Sequence, residues 1–180
     1  MTYALEAGCC AMNNMEIERG LRGHMGKQAL FLGVLLADEV KSIPRYRKPV
    51  VCIVNTLPSY SKREMGHWIC LYYEPGMLVF LDSYAFDPKL YSDYFKYNHY
   101  PGLNIYKNAF RLQSTRSDVC GAYAMYFAYN VSHLGARETL EKICMEFSKT
   151  EYSKNDEHVM RFAYSKFLMP VCHQTFNTCP

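Results

Sequence analysis

The chain carries little net charge, no apolar run long enough to cross a bilayer, and no repeated or low-complexity stretch. Its 20 basic and 17 acidic residues leave a balance of +3, too small to mark a nucleic-acid binder by charge alone. The longest apolar run, residues 29–37 (ALFLGVLLA), falls well short of the roughly 20 residues that a membrane-spanning helix needs. The opening stretch, MTYALEAGCCAMNNMEIERG, has neither a basic start nor an unbroken apolar core, so it does not read as a secretion signal. Tryptophan is almost missing, Trp68 being the only one. From these absences an intracellular chain with no membrane association is expected.

What is present suits a globular domain. A chain of 180 residues with 49% apolar side chains is about one domain, able to bury a core without disulfides. Residues 1–180 are therefore expected to form a single domain. Residues 1–28 would be a polar, glycine-punctuated extension and 171–180 a tail. The eight cysteines, at 9, 10, 52, 70, 120, 144, 172 and 179, are too sparse for a disulfide scaffold. Cys52 in VVCIVN and Cys144 in LEKICMEF lie within apolar runs, as buried thiols of a reducing compartment would. Cys172, His173 and Cys179, or His67 with Cys70, match no standard zinc spacing, and no metal site is expected. The sequon at Asn130 falls on an apolar helical stretch and reads as chance.

Along the chain, residues 29–40 fit either a short helix or a buried strand. VVCIVN (50–55) is a β-branched strand, and HWICLYY (67–73) and MLVFLD (77–82) flank the turn Glu74-Pro75-Gly76 as a hairpin. Asp87-Pro88 predicts a helix to about Tyr97, and the alternation from Asn104 to Leu112 predicts a strand. Residues 120–133 are apolar almost all round, as a buried central helix would be. Leu140, Ile143, Cys144 and Phe147 mark one face of a second helix. Val159, Phe162, Ala163 and Phe167 mark a third, with Ser153 to Asp156 resembling a capping box and Pro170 ending it. The class expected is α+β: a central, mostly antiparallel sheet packed by helices, one of them buried and starting at Cys120.

Candidate chemistry centres on Gln113 to Ala122 (QSTRSDVCGA). A cysteine opening a helix meets free N–H groups and the positive dipole end, both of which favour a thiolate. Gly121 would let a substrate carbonyl approach the backbone, and Gln113 would donate to an oxyanion. The base comes from the hairpin. If residues whose numbers sum to about 150 face each other, His67 lies opposite position 83, beside Asp82. A nucleophilic cysteine, a histidine base and a carboxylate to orient it are the parts that thiol catalysis needs. Trp68 would wall this site or anchor the core beneath it.

These residues, C-I-V-N-T (52–56), G-H-W (66–68), D-S-Y (82–84), Q-S (113–114) and C-G-A-Y (120–123), resemble the adenain-like cysteine proteases. That family comprises the adenovirus maturation protease and relatives in other DNA viruses and virus-like transposons. It belongs to the same clan as the proteases of ubiquitin-like modifiers such as SUMO. Phe31-Leu32-Gly33-Val34 is similar to the segment that precedes the family's first strand. The resemblance implies a papain-like fold and a thiol endopeptidase cleaving viral precursor proteins during virion maturation, in a host nucleus or a virion. Cys120 would be the nucleophile, His67 the base, Asp82 its orienter and Gln113 the oxyanion donor, with Trp68 and Gly121 lining the site. Substrates with glycine near the cut and a monomeric enzyme are implied, as is activation by DNA or a viral peptide in place of any required cofactor. Arg45, Arg47 and Lys48, in a basic loop, would contact DNA, with Arg19, Arg22 and Lys27 as further cations. Asp82 stands where the adenovirus enzyme uses glutamate. That keeps a modifier-deconjugating protease open as an alternative, beside an inactive binding module of the same fold.

Overall fold

The strand runs VVCIVN and WICLYY are apolar without interruption because both faces of the sheet are covered. In the computed structural model, which describes residues 12–62 and 66–167, the strands are β1 (Leu30–Leu36), β2 (Val50–Asn55), β3 (Trp68–Glu74), β4 (Met77–Leu81) and β5 (Asn104–Lys107). They form one sheet in the order β1-β2-β3-β4-β5. Val51, Ile53, Cys70, Tyr72, Val79 and Leu81 face a helical layer, and the alternate residues Cys52, Val54, Ile69, Leu71, Leu78 and Phe80 face a layer of short 3-10 segments.

The sheet is mixed where a mostly antiparallel one was expected. β2–β3 and β3–β4 are antiparallel, whereas β1–β2 and β4–β5 are parallel. The reason lies in the connections: the 3-10 segment Ala37–Arg45 and the stretch between β4 and β5 are long enough to cross over, which parallel pairing requires. Phe31 to Val34 belong to the first strand and do not precede it, and the ambiguity over 29–40 resolves as strand and then 3-10 helix.

Two further expectations are corrected. The stretch after Asp87-Pro88 is no helix but three 3-10 turns, Pro88–Leu90, Asp93–Phe95 and Tyr97–His99. Ser92 interrupts it, adopting an extended conformation and capping the next turn through Tyr94 N. The strand expected to reach Leu112 stops at Lys107, because the Asn108 carboxamide leaves the ladder for the main chain at Asp82. Its Oδ1 accepts from Asp82 N at 2.9 Å, and its Nδ2 donates to Asp82 O at 2.8 Å and to Phe110 O at 3.1 Å. Asn108→Ala should cost about 2–3 kcal/mol in urea unfolding, since it strands buried backbone groups that each cost about 1–3 kcal/mol unpaired. An unchanged midpoint would show that water replaces the amide.

The helical layer is built on α2 (Cys120–Leu134), whose residues are buried nearly all round. Around it pack α1 (Asn14–Leu21), α3 (Ala136–Glu146) and α4 (Tyr152–Phe167). Part of the segment read as an extension is thus helical, opened by a capping box between Asn13 and Glu16. On α3 the buried face runs through Ala136, Thr139 and Ile143 to Phe147, while Cys144, expected to be buried, is exposed. The capping-box reading of Ser153 to Asp156 also fails, since Asp156 points into the core. Pro170, Cys172, His173 and Cys179 lie outside the described residues. Among the described residues no helix is long and apolar enough to cross a membrane.

Candidate active site

The hairpin pairs one residue away from the expected register, Cys70 opposite Leu81 and Glu74 opposite Met77. His67 and Asp82 flank its open end, just before β3 and just after β4. At that end His67 Nε2 lies 2.6 Å from Asp82 Oδ1, with only 12% and 3% of the side chains exposed. The backbone around His67 is fixed from β2: Thr56 Oγ1 accepts from His67 N at 2.9 Å, and Thr56 N donates to His67 O at 2.9 Å. Gly66 is needed because a Cβ there would fall 2.0 Å from Asn55 Oδ1.

Asp82 is held by more than the histidine. Oδ1 also accepts from Tyr84 N at 3.0 Å, and Oδ2 accepts from Phe86 N at 3.0 Å and from the Tyr91 hydroxyl at 2.8 Å. Four donors therefore converge on one carboxylate. Tyr84 and Tyr91 stack on the imidazole at centroid distances of 5.0 and 5.2 Å, shielding the pair from solvent. Burial and the Asp82 charge push the Tyr91 hydroxyl far up, so it stays a donor.

The imidazole and the Cys120 side chain line the same cleft, and Cys120 adds to what holds the proton on the ring. With Nε2 turned to Asp82, Nδ1 is the nitrogen left for sulfur. Burial alone would lower the His67 pKa, but the hydrogen bonds and negative charge supplied by Asp82 and Cys120 outweigh it and raise it to about 9. Cys120 is the first residue of α2 and is partly exposed, whereas Cys52 and Cys70 are buried in the sheet. Burial pushes the Cys52 and Cys70 thiols up, which makes them inert.

Gln113 lies beside the same cleft and is 1% exposed. Its orientation is fixed, because Oε1 accepts from Ser83 Oγ at 2.6 Å and Nε2 donates to Ser117 O at 2.7 Å, an atom that can only accept. One hydrogen on Nε2 is left over. The cleft has a volume of about 440 Å³, and His67, Trp68, Tyr84, Gln113, Asp118 and Cys120 are among its lining residues. Trp68 joins the core and also lines the cleft. Its indole Nε1 donates to Met12 O at 3.0 Å. The role expected of Gly121 is corrected: Met12 fills the space beside it, 3.0 Å from where a Cβ would sit, so no substrate carbonyl approaches there.

The structure thus brings Cys120, His67, Asp82, Gln113 and Trp68 together. It leaves Arg45, Arg47 and Lys48 apart, exposed before β2, whose other end leads to Thr56. A six-residue strand separates them from the cleft by about 20 Å. Arg19, Arg22 and Lys27 are exposed, with Arg22 paired to Glu18. Among the described residues no group of three histidine, cysteine or acidic side chains is placed to hold a metal.

Sequence reasoning did not single out Thr56, Asn108, Ser83, Ser117 or Tyr91, and it read Asp156 as part of a helix cap. Thr56 stands inside the C-I-V-N-T motif and Ser83 inside D-S-Y, so their signal is present though their roles are not.

No protein-family model matches the chain, and no curated protein matches it. Among solved structures it is similar to the central domain of the uncharacterized Lpg1148 protein from Legionella pneumophila, at 14% identity and a TM-score of 0.49, covering 88% of this chain and 99% of that one. It is also similar to ChlaDub1 from Chlamydia trachomatis, at 15% identity and a TM-score of 0.39, covering 88% and 78%.

Proposed function

We propose that this chain is a cysteine endopeptidase. One observation carries the reading: a single imidazole, held by Asp82 and shielded by two tyrosines, lines one cleft together with Cys120 and Gln113. His67 takes the thiol proton, and Cys120 Sγ attacks the scissile carbonyl carbon. The oxyanion receives the free Gln113 Nε2 hydrogen and the Cys120 N–H, which has no intrahelical partner at the first turn of α2. Imidazolium then protonates the leaving amine, and a water deprotonated by His67 hydrolyses the thioester. Asp82 keeps the ring in the tautomer and orientation that both proton transfers need.

Met12 packed beside Gly121 and tied to Trp68 narrows the cleft, which suits small residues such as glycine next to the cut. The resemblance to adenain-like proteases makes a precursor protein of viral origin the substrate we favour. The test uses a degenerate peptide library and fluorogenic modifier conjugates side by side. Library cleavage, blocked when iodoacetamide modifies Cys120 alone at neutral pH, supports the proposal. Turnover of conjugates only would make the chain a deconjugating enzyme. If Cys120 is alkylated no faster than exposed Cys144 and neither substrate is cut, the hydrolase reading fails.

A further inference from the structure

Asp156 is a buried carboxylate, 1% exposed, that the mechanism above does not use. It lies on α4, and its oxygens accept from Ser117 Oγ at 2.7 Å, from the Tyr123 hydroxyl at 2.9 Å and from Ser114 N at 3.3 Å. Every partner is a neutral donor. An ionised carboxylate accepts only, so its burial is tolerated here because donors surround it. Burial still raises its pKa, and the Ser117, Tyr123 and Ser114 donors work against that rise.

The position of those donors matters more than their number. Ser114 and Ser117 bound the tight turn after Gln113, and the Ser117 carbonyl is the atom that holds Gln113 Nε2. Tyr123 lies one turn along α2 from Cys120, and its hydroxyl oxygen is also 3.1 Å from Leu112 O. Asn155, next to Asp156, holds the Leu112 carbonyl again through Nδ2 at 3.0 Å. Asp156 therefore joins the loop that carries Gln113 to the helix that carries Cys120.

We propose that Asp156 is a positioning residue that sets the spacing between the two oxyanion donors, the Gln113 side chain and the Cys120 backbone N–H. The proposal rests on the hydrolase reading of the site. It separates two halves of the chemistry. Thiol activation depends on His67 and Asp82, which belong to the hairpin, whereas oxyanion stabilisation depends on the loop and helix that Asp156 ties. In Asp156→Asn the Ser117 and Tyr123 hydroxyls can rotate to accept from the new amide, so the fold is retained. The Ser114 N–H, equidistant from both oxygens, keeps one acceptor and meets an NH2 group in place of the other, so its hold on the turn weakens.

The experiment compares wild type, Asp156→Asn and Ser117→Ala in three measurements: kcat and KM on a cleaved peptide, inhibition by the matching peptide aldehyde, and the rate of Cys120 alkylation by iodoacetamide. The aldehyde forms a tetrahedral adduct and reads the oxyanion donors, whereas alkylation reads only the thiolate. Asp156→Asn is expected to lower kcat by about 10–100-fold, below the full loss of one oxyanion donor. Aldehyde affinity should fall in proportion, with KM and alkylation within about two-fold of wild type, a span worth under 0.5 kcal/mol. Ser117→Ala keeps the carbonyl that holds Gln113 and should show the same pattern more weakly. A parallel fall of alkylation and kcat would reduce Asp156 to a stability role, and unchanged kcat in both variants would remove it from the mechanism. If Asp156→Asn does not fold, Ser117→Ala decides alone. Absence of both cleavage and selective alkylation in wild type overturns the hydrolase reading itself, an outcome distinct from either of these.

Discussion

Replacing Cys120 by alanine is expected to lower kcat/KM for peptide cleavage by roughly 10⁵–10⁶-fold, the scale lost when a nucleophile that acts as one unit with its base is removed. The same variant should change the titration of His67. In the intact site the imidazole is buried, which opposes its charge, yet Asp82 and Cys120 hold its pKa at about 9 against an ordinary 6.5. Removing the sulfur takes away the share of that rise that Cys120 supplies, so His67 must lose its proton at lower pH. Histidine NMR titration of wild type and Cys120→Ala reads this directly. Equal titration in the two proteins would mean that sulfur and ring do not interact.

The sign of the linked pH effect follows from that raised value. A histidine whose folded pKa lies above its unfolded one stabilises the folded state fully below about pH 6.5, and the contribution is lost as pH climbs through about 9. A rise of that size corresponds to roughly 3 kcal/mol for a buried group, shared with its coupled partners. Alkaline loss of stability, flattened in Cys120→Ala, is the expected unfolding result. In kinetics, kcat/KM should fall above about pH 9, when the imidazolium that protonates the leaving amine is no longer charged.

The second large effect concerns Asp82. Asp82→Ala leaves His67 Nε2, Tyr84 N, Phe86 N and the Tyr91 hydroxyl without their shared acceptor. Breaking a buried charge pair of this kind costs about 3–5 kcal/mol. Loss of the residue that orients a catalytic imidazole drops kcat by about 10⁴-fold in the analogous hydrolytic triad. Asp82→Asn separates the two effects: its single carbonyl oxygen still accepts part of the donor set, so most stability should survive while kcat still falls. Urea unfolding and kcat on the same preparations decide it. Retained kcat in Asp82→Asn would show that the carboxylate serves the loop and not the ring.

Much of the site is legible in the sequence because its parts are local. The turn Glu74-Pro75-Gly76 with apolar runs on both sides dictates a hairpin, and a hairpin must bring residues near 67 and 82 to one end. Likewise, Cys120 followed by an apolar stretch dictates a helix that starts at the thiol and is buried beyond it. The strand runs of β2 and β3, unbroken in hydrophobicity, require cover on both faces.

What the sequence does not reveal is whatever depends on side chains competing with the backbone over long sequence separations. Asn108 ends β5 early because its amide finds Asp82, 26 residues away, and the alternating pattern carries no trace of that partner. Asp156 resembles a helix cap because Ser153 stands at the right spacing, but a buried donor cluster from Ser114, Ser117 and Tyr123 outcompetes a solvent-exposed cap. Met12 takes the space at Gly121 for the same reason: a glycine announces room, and only packing decides which atoms fill it. Local pattern, then, determined the hairpin, the strand before it, the central helix, the order of Cys120, His67, Asp82 and Gln113, and the end of the sheet where they meet. The tertiary structure alone decided the mixed sheet, the shared acceptor at Asp82, and the buried carboxylate of Asp156 that ties loop to helix. Those features rest on hydrogen bonds that form only once burial has removed the water that would otherwise satisfy the same groups.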